Sequence, residues 1–431
     1  MKVLHVTNYF RGTHRHVGGA EQACYRTARM LSDGGHEVAV ATKRFDAGSV
    51  TEKMPFPVHP LPVLEDYVPK GFSLYAEAVK WYAFQYDPLA RSSFRRLLRK
   101  EKPDVVHFHN FQFLTFSLVR ETFRQGIPLC LSVYDYWLFC PKAMLLLPDN
   151  SFCAEAHGTR CLQCLPKSFS SLQKRLLGVR REVFDSCFDL VDRFVVLSGH
   201  SAGVLKRYGI NGEKIRVVPL TLPIEYADGE ADAAAPDVAR NSILFAGWLN
   251  DRKGVHIAID AMRYVRKAVP DAVLYVIGGR AKFSGEYERK FQSLIEEHKL
   301  RDCVVFLGHQ PPRVVQQYLR KIGVLVIPEQ YENMSPLIMV EAMLLGKPVV
   351  ASNLGGIPEF ITEGETGFLA DAYSPEEFGR KVVRLLTDPS LAAAVGGAAR
   401  KFIQEKCDSG RIARETLQLY EEMRKGRHGY N

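Results

Sequence analysis

No run in this sequence is long and apolar enough to cross a bilayer. The longest stretch free of Asp, Glu, Lys and Arg is Val105 to Val119, and it contains two histidines, an Asn and a Gln. A spanning helix needs about 20 apolar residues. Met1 followed by KVLHVTNYF lacks the charged-then-apolar pattern of a secretory leader and reads as a buried strand. The glycines nowhere fall in G-x-G-x-x-G; neither RGTHRHVGGAEQ nor VIGGRAKFSG has that spacing, which disfavours a dinucleotide-dependent dehydrogenase. There is no stripe of mixed basic and aromatic residues and no recognisable binding module, so nucleic acid is not an expected partner. The expectation is a soluble chain, cytoplasmic or held peripherally on the inner face of a membrane.

What is present is alternation. At 431 residues, 46% hydrophobic and 24% charged, the chain suits two domains of ordinary globular composition. Short apolar runs (KVLHVTN, HEVAVAT, DVVHFHN, PLCLSVY, RFVVLS, IRVVP) alternate with helical patterns such as Gly19 to Leu31 and Phe116 to Arg124. After Leu222 the segment PIEYADGEADAAAPDVARNS has no apolar periodicity and reads as a linker. A second series follows with SILFAGWL, AVLYVIGG, CVVFLG, VLVIPE and PVVAS. Strand–helix alternation twice over predicts an α/β protein of two doubly wound, Rossmann-like domains facing across a cleft, with ligands beyond the carboxyl ends of the strands. The expected boundaries are 1–220 for the first domain (with a cysteine-rich insert at about 136–168), 221–241 for the linker, 242–405 for the second domain, and 406–431 for a C-terminal helix that could cross back to the first.

The net charge of +9 is lopsided: residues 1–220 hold 30 Lys and Arg against 20 Asp and Glu, and residues 221–431 hold 27 against 28. A basic half suggests an anionic partner. RSSFRRLLRK (Arg91–Lys100) and LQKRLLGVRR (Leu172–Arg181) mix basic residues with Leu and Phe at helical spacing, a pattern that surface-binding helices use on anionic membranes. The nine cysteines are also unevenly spread, with Cys140, Cys153, Cys161 and Cys164 falling within 25 residues and ending in C-x-x-C. Such a set suggests a structural tetrathiolate zinc site; buried, unligated thiols are the other reading.

The loops at strand ends carry the candidate chemistry. Gly18 and Gly19 precede a helix whose first amides could face a phosphate. Gly278 is the first of the two glycines that end AVLYVIGG. NDRKG places Arg252 and Lys253 ahead of a helix opening at Gly254, a suitable clamp for a diphosphate. In YENMSPLIMVEAMLLGKPVV, Ser335 and Pro336 read as N-cap and first residue of a helix running to about Leu345. Glu341, the only acid in that helix, is placed to accept hydrogen bonds from both hydroxyls of a ribose. The amides of Met334 to Leu337, with Asn333 and Glu332 just ahead, would face an anion or sugar. His107 and His109, at the end of DVVHFHN, could position an acceptor hydroxyl or its proton, with one of the two expected to face the cleft.

These residues carry a resemblance to family-four (group 1) retaining glycosyltransferases of the GT-B fold. The paired-glutamate segment Glu332 to EAMLLGKPVVAS, the following NLGGIPEFITEGETGFL, the N-terminal GGAEQACYRTARMLSDGGHEVAVAT and PDVVHFHN all resemble family segments. The resemblance implies transfer of a sugar from a UDP-, GDP- or ADP-sugar to a glycan or lipid-linked acceptor, with no metal in catalysis, and the sequence has no D-x-D. It implies that Glu341 contacts the donor ribose, Glu332 the donor sugar and phosphate, Arg252 or Lys253 the diphosphate, and Gly18 and Gly19 the phosphates. It also assigns YDYWLFCP, with Tyr134 and Asp135, to a subgroup bearing an HDYW-like segment and a cysteine cluster. Three departures stand out: eight residues between Glu332 and Glu341 where the family has seven, Tyr134 at a common histidine position, and Trp248 at a common arginine position, where a core tryptophan is expected. They favour a second hypothesis, a sugar-nucleotide-binding protein without transfer activity. A same-fold sugar-nucleotide epimerase ranks last, because its pattern lacks the EAM–GKPVVAS block.

Overall fold

The computed structural model describes residues 1–14, 17–45, 53–67, 85–155, 161–164, 177–222, 236–279 and 285–428. The chain divides into two compact units, Met1–Thr221 with Ser409–Asn431, and Leu222–Asp408.

The first unit is built on seven strands: β1 (Lys2–Val6), β2 (Glu37–Lys43), β3 (Val58–Leu61), β4 (Val105–Phe108), β5 (Leu129–Ser132), β6 (Arg193–Val196) and β7 (Ile215–Val217). They lie in the order β3-β2-β1-β4-β5-β6-β7, all parallel. The second unit has β8 (Ser242–Ala246), β9 (Val273–Ile277), β10 (Val304–Gly308), β11 (Val324–Ile327), β12 (Val349–Ser352) and β13 (Phe368–Ala370), ordered β10-β9-β8-β11-β12-β13 and again all parallel. β4, β5, β11 and β12 are buried along their whole length, as parallel strands covered on both faces must be. β3 and β13, both sheet edges, were not expected from the sequence. β3 contains Pro60, which a central strand would not tolerate.

The order reverses at the β1/β4 pair and at the β8/β11 pair. In open α/β sheets the crevice beyond the strand ends at such a switch point receives ligands. The long helix Ser409–His428 belongs to the first unit, where Tyr420 is fully buried beside Val3, Cys24 and Cys130. Ion pairs from Arg427 to Asp192 (3.0 Å) and Arg424 to Asp104 (3.2 Å) hold its far end.

The reading of two basic segments as membrane-surface helices needs correction. Arg91–Lys100 lies in helix Pro88–Glu101, but Phe94, Leu97 and Leu98 point into the protein core. Arg91 and Arg95 are held by Glu121, a 4% exposed carboxylate, at 2.9 and 2.7 Å. Of the second segment, residues 172–176 lie outside the described residues. In the helix Leu177–Phe188 that follows, Leu177, Phe184 and Phe188 are buried, and Arg180 turns inward to the Trp137 carbonyl at 2.8 Å. The apolar residues of the first segment, and Leu177 of the second, are thus packed inside. Among the described residues, no helix is long and apolar enough to cross a membrane.

Candidate active site

In the second unit the switch point is crowded with charge. Beyond β8 the chain forms a short 3-10 turn, Asp251–Lys253, capped by the Asn250 side chain, which accepts from the Lys253 amide at 3.0 Å. Gly254 follows with φ +69°, and a Cβ there would fall 1.8 Å from the Pro328 carbonyl oxygen. Only glycine lets the β8 loop pass so close to the end of β11. The helix itself begins at Val255, so Arg252 and Lys253 sit in the turn just ahead of it. The Gln330 amide donates to the Arg252 carbonyl at 2.8 Å, tying the two loops together.

That approach brings Lys253 onto the β11 loop. Its ammonium forms an ion pair with Glu329 and donates to the Tyr331 hydroxyl at 3.2 Å. Asn333 donates to the other carboxylate oxygen of Glu329 and to the Tyr331 hydroxyl at 2.9 Å. Glu329 is 3% exposed and the Lys253 side chain 25%. Burial would lower the Lys253 pKa, but the charge of Glu329 and the Tyr331 hydroxyl outweigh it and hold the ammonium above its usual range. Burial, reinforced by Glu329, pushes the Tyr331 phenol up, so it stays neutral.

Asn333 anchors the rest of the loop. Its side-chain oxygen accepts from the Ser335 amide at 3.1 Å, and its carbonyl accepts from the Gly356 amide at 2.7 Å. The helix is one residue later than expected: it spans Leu337–Leu344 with Pro336 at the N-cap position. Ser335 does not cap it, and the buried Ser335 hydroxyl has no hydrogen-bond partner among the described residues. Met334, Ser335 and Pro336 are buried, whereas Glu332, Leu337 and Glu341 are half-buried. Gly278, after β9, packs so tightly that a Cβ would lie 1.8 Å from the Gly247 carbonyl oxygen. Trp248 is 46% exposed, which corrects the expectation of a core tryptophan.

In the first unit the switch point holds histidines. His107 and His109 share one face of β4 and its extension, with stacked rings 4.1 Å apart. The expectation that one of the two faces the cleft and the other does not fails, because residues i and i+2 of a strand point the same way. His5 on β1 pairs in register with His107 and joins them, its Nδ1 2.9 Å from His109 Nε2. The Tyr134 hydroxyl is 2.7 Å from His109 Nδ1; His107 is held by the Tyr420 hydroxyl at 2.6 Å and the Ser132 hydroxyl at 2.8 Å. Burial pushes the His5 imidazole down to about 3 and those of His107 and His109 well below their usual range, so all three are neutral near pH 7. Their ligand nitrogens lie within 4.8 Å of one another.

Gly18 and Gly19 start the helix Gly19–Asp33 after β1. The Glu21 carboxylate accepts from the Gly18 amide and from the Asn110 side chain, both at 3.0 Å. Asp135 caps its own turn by accepting from the Trp137 amide at 2.9 Å. Cys140, Cys153, Cys161 and Cys164 line a single cavity in this unit.

Sequence reasoning missed Glu329, Tyr331 and Asn333 as the partners of Lys253 and of one another, and also His5, Ser132 and Tyr420. One available signal was the parallel LHV and VHF runs, which place His5 against His107 once their strands pair.

Comparison with known proteins bears on what these sites serve. The family model "Glycosyltransferase Family 4" matches residues 17–225 and "Glycosyl transferases group 1" matches residues 230–402. The chain belongs to the family 4, group 1 glycosyltransferases. Among curated relatives, the D-inositol 3-phosphate glycosyltransferase of Segniliparus rotundus is 29% identical over 250 residues, 56% of this chain and 54% of that protein. The glycogen synthase of Mycobacterium tuberculosis is 28% identical over 194 residues, 45% of each chain. The matches thus span about half the length of these relatives. Of solved structures, Anabaena HepE in complex with UDP and glucose aligns with a TM-score of 0.71 and 18% identity over 98% of this chain and 100% of that one. Sucrose-phosphate synthase from Thermosynechococcus elongatus gives 0.69 and 19% identity over 98% of each chain. The fold is GT-B, as the sequence resemblance implied.

Proposed function

We propose that this glycosyltransferase moves a sugar from a nucleotide-sugar donor to an acceptor hydroxyl with retention of anomeric configuration, the second unit binding the donor and the first the acceptor. The observation that carries the reading is the Lys253–Glu329–Asn333 cluster at the β8/β11 switch point, one loop ahead of the helix that bears Glu341. A cation kept charged by a buried carboxylate suits a leaving diphosphate, whose negative charge grows as the glycosidic bond breaks. Arg252 supplies a second cation in the same turn. Pro336 has no N–H and the Ser335 amide is taken by Asn333, so the Met334 and Leu337 amides are the donors at this helix N-terminus, where an anion or sugar oxygen is favoured. Glu341 takes the ribose hydroxyls and Glu332 faces the sugar, while Asn333 holds Glu329 and Tyr331 in place.

Retention requires attack on the face that the leaving group vacates. The departing diphosphate then accepts the acceptor proton itself, and the protein aligns the two partners and stabilises charge. His109 and Tyr134, coupled by their hydrogen bond and neutral near pH 7, serve as a fixed dipole pair for an acceptor hydroxyl, with Asp135 beside them. That HepE was solved with UDP and glucose supports a uridine nucleotide as the first donor to test.

The experiment incubates the chain with UDP-, GDP- and ADP-sugars, with and without glycan and lipid-linked acceptors. It measures nucleotide release and reads the product anomer by NMR. Donor-dependent release with the donor's anomeric configuration kept is expected. Donor retained with neither nucleotide release nor sugar transfer, across acceptors, would instead show a sugar-nucleotide-binding protein.

A further inference from the structure

We propose that Cys140, Cys153, Cys161 and Cys164 form a tetrathiolate site for zinc, which pins the segment between β5 and the helix Leu177–Phe188. The site is independent of the transfer chemistry above. All four side chains line one cavity, along with Lys142 and Glu155. The other five cysteines, Cys24, Cys130, Cys187, Cys303 and Cys407, are buried like ordinary small hydrophobes, whereas Cys140, Cys153 and Cys164 are only half-buried. Cys161 and Cys164 form the two ends of a four-residue helix, a spacing that puts both thiols on one side.

The backbone of this segment needs a staple. Among its described residues the regular structure is one antiparallel bridge, Leu146 with Phe152, and that short helix. Ala143, Leu145 and Asn150 all adopt left-handed φ values between 56° and 65°. Such conformations are unfavourable for residues with a Cβ. The first follows a turn in which the Ala143 amide donates to the Cys140 carbonyl at 2.8 Å, the kind of tight loop that presents a thiolate to a metal. Just ahead of it in the chain, Tyr136, Trp137, Leu138 and Phe139 are buried, and Phe139 lines the same cavity.

Soft thiolates in fours select a tetrahedral zinc-type ion. As each sulfur–metal bond forms, its thiol releases a proton to solvent, and Lys142 offsets part of the resulting negative charge. No three of the four sulfurs stand within 4.8 Å of one another, as the three histidine nitrogens do, so the sulfurs draw together as the metal binds. Cys153 donates to the Glu155 carbonyl at 3.1 Å, so loading replaces that hydrogen bond with a metal bond. The histidine cluster is the weaker candidate, because both ring nitrogens of His107 and of His109 are already hydrogen-bonded.

The test uses the full chain. Elemental analysis should find about one zinc per chain. Exchange with cobalt(II) should give the thiolate charge-transfer and d–d bands of a tetrahedral sulfur site, a readout that needs no variant. Cys161→Ser and Cys153→Ser should lose the metal, and Cys303→Ser should keep it. The proposal is overturned by a chain free of bound metal and unable to take up cobalt, by a Cys161–Cys164 disulfide in the native protein, or by metal that survives both serine variants and is lost in His109→Gln.

Discussion

The pairing of Lys253 with Glu329 can be measured by a double-mutant cycle. Glu329→Gln keeps the shape and an acceptor for Asn333 but removes the charge that offsets Lys253. Lys253→Met keeps the stem and leaves a carboxylate that is 3% exposed without its cation. Breaking a fully buried pair from one side costs about 3–5 kcal/mol. The Lys253 side chain is 25% exposed, so water recovers part of that when Glu329 is neutralised. We therefore expect about 1–2 kcal/mol for Glu329→Gln and about 3 kcal/mol for Lys253→Met.

The double variant removes both charges together and should cost less than the sum, with a coupling of about 1–2 kcal/mol. Urea unfolding is followed at the transition of the second unit, which carries Trp248 and neither of the other two tryptophans. Costs that add within about 0.5 kcal/mol would refute the coupling. In turnover assays Glu329→Gln should also raise the donor KM, because Lys253 is then no longer held in place. An unchanged KM would separate the ion pair from donor binding.

Glu341→Gln should weaken donor binding by about 1.5–3 kcal/mol, the usual worth of a charged hydrogen bond, and calorimetry that shows equal affinity would remove Glu341 from the ribose site. Tyr420→Phe leaves the buried His107 Nδ1 without its 2.6 Å partner and should cost about 1–3 kcal/mol in thermal unfolding; a neutral result would mean that the hydroxyl carries no weight there. Stability should fall as pH drops below about 6.5, because the unfolded chain then binds protons that two buried histidines refuse: His256, in the first turn of the helix Val255–Ala268 and held down to about 4 by burial, and His5, held down to about 3. At roughly 1.4 kcal/mol per unit, His256 alone accounts for about 3 kcal/mol by pH 4. Glu121, lowered to about 2 chiefly by its hydrogen bond to Arg95, adds a further loss between pH 4.5 and 2, and a flat stability profile from pH 7 to 4 would contradict the histidine assignment.

Much of the fold was legible because parallel strands buried on both faces read as nearly continuous apolar runs, and helices between them keep their own period. β3 and β13 escaped because an edge strand can be short and hold a proline. At the site, Lys253 and Glu341 were visible as charges in strand-end loops or apolar surroundings. Which of Glu329 and Glu332 holds Lys253 was not. That choice depends on the path of the β11 loop, set by Gly254 against Pro328 and by Gly355, whose Cβ would lie 2.5 Å from the Asn333 carbonyl. Those contacts join residues 74 to 22 positions apart, and no local pattern encodes them.

The histidines show the same limit from the other side. Strand periodicity alone places His107 and His109 on one face. His5 joins them only through the β1–β4 register, and Tyr420 reaches His107 from 313 positions away. Three neutral imidazoles buried together are costly unless their nitrogens are hydrogen-bonded, and His5 Nε2 has no partner among the described residues. A hydrophobic side chain at position 5 would fill that space without the penalty. The polar cluster therefore sits where packing alone would not put it, at the strand ends of the β1/β4 switch point, as the Lys253–Glu329 pair does at β8/β11. In each unit the sheet reversal opens a crevice that the apolar core cannot close, and it is there that this chain places its buried polar groups.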